Sequence, residues 1–210
     1  MHRPINMTLA PWAGLALAIA SAFFSCPSAA TENTPLPAPV VNGPANVGRD
    51  QTAYLAGGCF WGVEGVFEHV KGVKQATSGY VADGVETVKI VFDPSIVSYG
   101  QLLQIFFSVA HDPTQLNRQG PDVGPEYRSE IFTSDAAQKQ VANAYLAQLA
   151  GAKAFSAPIV TRVESVRGFK RADDSHQGYM RRHPRDPYIV YNDLPKLAQL
   201  KSVFPALYVE

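Results

Sequence analysis

An apolar, strand-like run from Thr52 to Ala56 ends at Gly57-Gly58 and passes at once into a helical repeat. Val63, Val66, Phe67 and Val70 fall at i, i+3, i+4 and i+7, one face of a 3.6-residue period. The two glycines let the backbone turn sharply and leave the next side chain, Cys59, uncovered. A cysteine that opens a helix feels the positive end of the helix dipole, which favours thiolate over thiol. Phe60 and Trp61 set two large aromatic surfaces beside it. The competing reading is a buried, inert cysteine, the commonest fate of a lone thiol.

The pattern continues as strand, helix, strand, strand, helix, strand, helix. Ser98 and Gln101 form a capping box ahead of a helix whose apolar face is Tyr99, Leu102, Leu103, Phe106 and Ala110. Arg128 to Thr133 reads as a strand, Asp135 to Ala150 as a helix rich in Ala, Gln and Leu, and Ile159 to Val166 as a strand. This β-α-β-β-α-β order predicts an α+β fold: a two-layer sandwich with a ferredoxin-like core and a mainly antiparallel sheet.

Residues 1–30 read as a secretion signal. Arg3 is the only formally charged side chain before Glu32, Leu9 to Phe24 is apolar, and Ser28-Ala29-Ala30 supplies a small-residue cleavage site. Pro11 and Gly14 interrupt the stretch, which argues against a membrane anchor. Ser25-Cys26 carries the alternative of lipoprotein processing. Residues 31–51, with Pro35, Pro37, Pro39 and Pro44, read as a flexible spacer, and residues 52–210 as one domain. The expected location is periplasmic or secreted, with no membrane span left after cleavage.

The 18 basic and 18 acidic side chains balance, and losing Arg3 with the leader leaves one net negative charge. No basic run points to nucleic acid. Only Cys26 and Cys59 exist, so cleavage leaves one thiol in an oxidising compartment, with no partner for an internal disulfide. His69, His111, His176 and His183 have no Cys, Asp or Glu at metal-ligand spacing, so no metal is expected.

Along Val85 to Phe92 the period of two puts Glu86 on one face with Val88, Ile90 and Phe92. A carboxyl on an apolar face is costly when ionised, so its pKa should rise; a strand-end glutamate that simply reaches solvent is the bland alternative. Tyr80 lies six residues earlier, across Asp83-Gly84. A two-residue hairpin loop would pair Val81 with Glu86. A three-residue loop, Ala82-Asp83-Gly84 with Gly84 left-handed, would pair Tyr80 with Glu86 instead. Only the second suits a shared site. The long loop from Asp112 to Tyr127 is a further functional candidate. His111 and His176 are candidate bases for Cys59.

Gly58-Cys59-Phe60-Trp61-Gly62 resembles the signature of class A peptide methionine sulfoxide reductases. Gly79-Tyr80, Glu86 to Pro94, His111-Asp112-Pro113, Asp122 to Ser129 and Ala172 to Tyr179 are similar to family landmarks in the same order. The likeness runs from about Thr52 to Tyr208. It implies the same two-layer architecture, Glu86 as the catalytic glutamate, and Asp122 and Tyr127 as further site residues; spacing alone would make these a turn residue and a core tyrosine. Ala172 to Gln177 is then expected as scaffold for the site. The family's Tyr–Glu connection is usually longer and often carries a His before the glutamate; both features are absent here.

The reading that follows is an exported monomer that reduces the S epimer of methionine sulfoxide, free or in oxidised proteins, without a bound cofactor. Cys59 attacks the sulfoxide sulfur, and Glu86, helped by Tyr80 and Tyr127, protonates its oxygen. Phe60 and Trp61 hold the substrate methyl group. The resulting Cys59 sulfenic acid needs an external thiol, a thioredoxin-like protein or glutathione. The rivals are a cysteine hydrolase using His111 or His176, and a thiol protein that binds oxidised segments without turnover.

Overall fold

A computed structural model describes residue 1 and residues 34–43, 48–81 and 84–210. The expected signal peptide and Cys26 lie outside the described residues. Among the described residues no helix is long and apolar enough to cross a membrane.

The first strand, β1 (Gln51–Gly57), stands in the middle of a sheet and leads through Gly58 into α1 (Phe60–Glu68). Val63, Val66, Phe67 and Val70 are each at most 1 % exposed, so the repeat read from sequence is the helix face that packs. Next come β2 (Val73–Val81) and β3 (Val85–Phe92), then α2 (Tyr99–Ile105), which runs on as a wide π-type turn over Phe106–Ala110. Both arms of the capping box are made: Gln101 N–H donates to Ser98 Oγ at 3.1 Å and Ser98 N–H to Gln101 Oε1 at 2.9 Å. Such a cap is worth about 1 kcal/mol.

A small two-stranded ribbon, β4 (Arg118–Gln119) with β5 (Asp122–Val123), precedes β6 (Ser129–Thr133) and α3 (Ala136–Gly151). Asp135 caps α3 by accepting the Gln138 amide at 2.8 Å. The rest is β7 (Arg162–Ser165), β8 (Lys170–Arg171), the single turn α4 (Tyr179–Arg182) and α5 (Leu194–Val203).

The six-stranded sheet runs β7-β6-β1-β3-β2-β8, antiparallel except for the β6–β7 pair. The expected α+β fold with a mainly antiparallel sheet holds. The strand expected at Ile159 to Val166 is shorter, because Val160 N–H bonds Pro113 O rather than the sheet and pairing with β6 starts at Arg162. The main core joins one sheet face (Leu55, Val88, Ile90, Phe92) to Phe67, Leu102, Leu103, Tyr145 and Leu200 from the helices. A smaller cluster on the other face gathers Ala56, Val81, Val85 and Phe132, with Phe169 packed against it.

The spacer differs from expectation over residues 34–43, which lie along α2 and α3 as a strap. Ser108 Oγ accepts from Leu36 N–H at 3.1 Å, and Gln104 Nε2 donates to Leu36 O at 2.7 Å. Tyr145 Oη donates to Pro37 O at 2.9 Å; Gln148 donates to Ala38 O at 2.8 Å and accepts from Val40 N–H at 3.0 Å. Prolines keep the segment extended and leave free carbonyls, and long polar side chains on the helices supply the donors.

Candidate active site

Cys59 is the N-cap residue of α1 and is 9 % exposed. Gly58 ahead of it has φ +86°, and a Cβ there would stand 2.4 Å from the Gln119 side chain. Only glycine lets the β4–β5 ribbon lie this close to the cysteine. Gly62 is a glycine for a different reason: a Cβ on it would meet Asp193 Oδ1 at 2.1 Å. Asp193 is fully buried and paired with Lys196 at 3.0 Å.

The hairpin settles the register left open by the sequence. Val81 pairs with Val85 and Tyr80 with Glu86, and Gly84 has φ +92°. These are the marks of the three-residue loop, so Tyr80 and Glu86 share a face. Positions 82 and 83 lie outside the described residues. Glu86 ends the apolar face formed by Val88, Ile90 and Phe92, all fully buried.

Phe60 N–H, the first amide of α1, donates to Glu86 Oε2 at 2.9 Å. Burial pushes the Glu86 carboxyl up to about 7, with the charges of Asp122 and Glu126 adding to it and the Phe60 amide opposing. This acid is therefore half-protonated near neutral pH, as expected for a carboxyl on an apolar face.

The thiolate expected from the helix dipole is not the resting state. Burial first, and the neighbouring Glu86 charge second, push the Cys59 thiol up to about 12. The Trp61 amide and the Tyr188 hydroxyl pull the other way, and Asp193 adds to the rise. The first helix amide already serves Glu86, and a thiolate here would be poorly solvated beside a carboxyl.

Tyr127 closes a short 3-10 turn, Pro125–Tyr127, ahead of β6. Burial, then Glu86, Asp122 and Cys59, push its hydroxyl up to about 12; burial and Glu86 likewise raise Tyr80. Both phenols thus remain proton donors at neutral pH. Asp122 on β5 accepts a short hydrogen bond from Tyr188 Oη. Burial and the Cys59, Asp122 and Asp193 charges hold Tyr188 well above the usual phenol range. Tyr188 was not anticipated from sequence: it stands 66 residues from Asp122, one of nine tyrosines, with only Pro187 before it as a local mark.

Phe60 is 2 % exposed and packs edge-on to Tyr80 at 5.5 Å. Trp61 stacks on Tyr179 at 3.7 Å, meets Tyr188 edge-on at 5.8 Å, and donates its indole N–H to His176 Nδ1 at 3.2 Å. The expected scaffold role of Ala172 to Gln177 is visible in its contacts. Gln177 brackets Ser78, accepting from its N–H at 3.1 Å and donating to its carbonyl at 2.9 Å. Buried Glu64 ties α1 to the same turn by accepting from Ser78 Oγ and Gly178 N–H, each at 3.0 Å.

The two histidines are engaged elsewhere than on Cys59. His111 Nδ1 faces Phe106 O at 3.1 Å, so it carries the proton, and Nε2 accepts from Ser129 Oγ at 2.7 Å. Burial lowers His111 to about 4, leaving a neutral structural ring. The acceptor nitrogen of His176 is occupied by Trp61. Neither arrangement activates a cysteine for hydrolysis, which needs the base within hydrogen-bond reach of the sulfur.

Cys59, Glu86, Tyr80, Tyr127, Asp122, Phe60 and Trp61 thus converge from α1 and its N-cap, the β2–β3 hairpin and the 112–127 loop. Residues 51–207 match the family model described as peptide methionine sulfoxide reductase. The chain is 54 % identical to peptide methionine sulfoxide reductase MsrA 2 of Mesorhizobium japonicum, over 76 % of this chain and 90 % of that protein. It is 43 % identical to MsrA 2 of Synechocystis, over 91 % and 96 %. Among solved structures it resembles methionine sulfoxide reductase A of Corynebacterium diphtheriae, with TM-score 0.56 and 29 % identity over 74 % of this chain and 90 % of that one. By these likenesses the chain belongs to the peptide methionine sulfoxide reductase family, class A, and is an oxidoreductase acting on the sulfur of methionine sulfoxide.

Proposed function

We propose that Cys59 reduces methionine sulfoxide through a sulfenic acid that an external thiol recycles. The observation that carries this reading is the Glu86 carboxyl, held on the Phe60 amide with its pKa raised to about 7. A neutral carboxylic acid beside the nucleophile can protonate the sulfoxide oxygen as it takes up charge. Tyr80 and Tyr127 act as the accompanying donors. The Cys59 sulfur attacks the sulfoxide sulfur, the oxygen passes to cysteine, and methionine leaves; thiol plus sulfoxide becomes sulfenic acid plus thioether. Phe60 and Trp61 receive the methyl group, and the Asp122–Tyr188 bond steadies the far wall. The epimer accepted is the S form.

Recycling follows from the cysteine count. With the leader removed, Cys59 is the one thiol of the mature chain. A first external thiol condenses with the sulfenic acid, releasing water and forming a mixed disulfide; a second frees Cys59 and leaves as the oxidised reductant. A thioredoxin-like protein or glutathione fits that role. The leader at residues 1–30 supports action on exported proteins in the periplasm or outside the cell, with lipidation at Cys26 the alternative fate.

The test is stoichiometric. One equivalent of purified mature protein, given excess sulfoxide and no reductant, should release about one methionine and leave a dimedone-reactive Cys59 with no internal disulfide. Cys59→Ser should release none. Two methionines per monomer would mean a second redox equivalent and end the one-thiol scheme.

A further inference from the structure

Four of the large apolar side chains exposed among the described residues fall on two short segments beside the site. Leu116 (63 % exposed) lies in the turn just before the β4–β5 ribbon and Val123 (68 %) on β5; Val190 (40 %) and Tyr191 (80 %) follow Tyr188. These segments are the two that the Asp122–Tyr188 hydrogen bond joins. In the ribbon Gln119 pairs with Asp122 and Arg118 with Val123. Strand alternation therefore sorts the ribbon's side chains: Gln119, against Gly58, and Asp122 turn inward, while Val123 turns outward; Leu116, in the turn before the ribbon, is exposed beside it. On the other segment Tyr188 reaches in to Asp122, and Val190 and Tyr191 stand in solvent.

A single exposed valine or tyrosine is ordinary, but bare apolar side chains on both arms of a clamp at a reaction site form a surface awaiting cover. The occupant follows from the site it borders. If the reacting group is a methionine side chain within a polypeptide, the residues on either side of it must rest on whatever surrounds the site. Methionine is a core-filling residue, and oxidation makes it polar and loosens the core around it. The segments presented are then rich in apolar neighbours.

Resting on the proposed reading of Cys59, we infer that Val123, Leu116 and Tyr191 form a docking shoulder for the apolar residues flanking methionine sulfoxide in a loosened polypeptide. The protein prefers peptidyl sulfoxide in an apolar context to the isolated residue.

The experiment compares three substrates with dithiothreitol as reductant: N-acetyl methionine S-sulfoxide methylamide, a peptide with Leu and Val on both sides of the sulfoxide, and one with Ser and Gly. Wild-type protein should favour the Leu/Val peptide over the other two by about tenfold in kcat/KM, carried by KM. Val123→Ser with Tyr191→Ser should reduce that preference below about twofold and leave the methylamide kinetics unchanged. Equal wild-type rates on the two peptides would overturn the inference, as would a variant equally impaired on all three substrates. So would a variant with normal peptide kinetics that is slowed only when a protein dithiol replaces dithiothreitol, since the shoulder would then belong to the reductant. Failure of the wild type to reduce the methylamide is a separate result: it removes the Cys59 reading itself, and this inference with it.

Discussion

The carboxyl of Glu86 holds the backbone N–H of Phe60 at 2.9 Å, so the proposed acid and the proposed nucleophile, Cys59, are locked to the same turn of α1. Cys59 precedes that amide and Trp61 follows it. Any shift of the β2–β3 hairpin would therefore move the Glu86 carboxyl and the helix start together.

Glu86→Gln keeps an acceptor for the Phe60 amide and removes the transferable proton. The reductive step should slow by about 10²- to 10⁴-fold, the usual yield of a general acid, with the fold intact. A single-turnover rate close to wild type at neutral pH would take Glu86 out of the mechanism.

The same substitution should change the pH dependence of stability. The folded-state pKa of Glu86 is raised from 4.5 to about 7, so between these values the folded chain holds a proton that the unfolded chain has released. Stability from this group is therefore lost as pH rises through that window. Glu86→Gln and wild type should match near pH 4, and the variant should be more stable at pH 8. The gain is about 1–2 kcal/mol after solvent screening of a half-buried group. Denaturant titrations at the two pH values give the difference; a wild type more stable at pH 8 would reverse the sign.

Tyr80→Phe and Tyr127→Phe should each slow reduction less than the double substitution does, because in the proposed mechanism two phenols serve one developing oxyanion. Their effects should also be non-additive, with a coupling of about 0.5 kcal/mol or more in a double-mutant cycle. Strict additivity would place them on separate atoms.

Removing residues 1–47 deletes the strap and its five hydrogen bonds to Gln104, Ser108, Tyr145 and Gln148. At about 0.5–1 kcal/mol each, the loss should be about 2.5–5 kcal/mol, visible as a lower midpoint in urea. A chain starting at residue 31 should keep full stability. Equal midpoints for the two would mean the strap adds nothing to the domain.

Much of the site was legible because its geometry is local. The period of two along Val85 to Phe92 puts Glu86 on the buried face, and six residues of separation across Asp83-Gly84 leave two registers, of which a shared site admits one. The helix face of α1 and the Ser98–Gln101 box are likewise short-range patterns that a dozen residues suffice to specify. Tertiary structure decided what depends on atoms distant in the chain. Cys59 sits at a helix start, as the sequence indicates, yet its protonation follows from burial under elements that arrive from residues 86, 119, 188 and 193. Tyr188 meets Asp122 across 66 residues, and the strap finds its donors 68 to 110 residues away. His111, a candidate base by residue type, became a neutral ring between Phe106 and Ser129. Periodicity reports which way a side chain points; desolvation and long-range pairing report what it meets there, and only the folded chain supplies that.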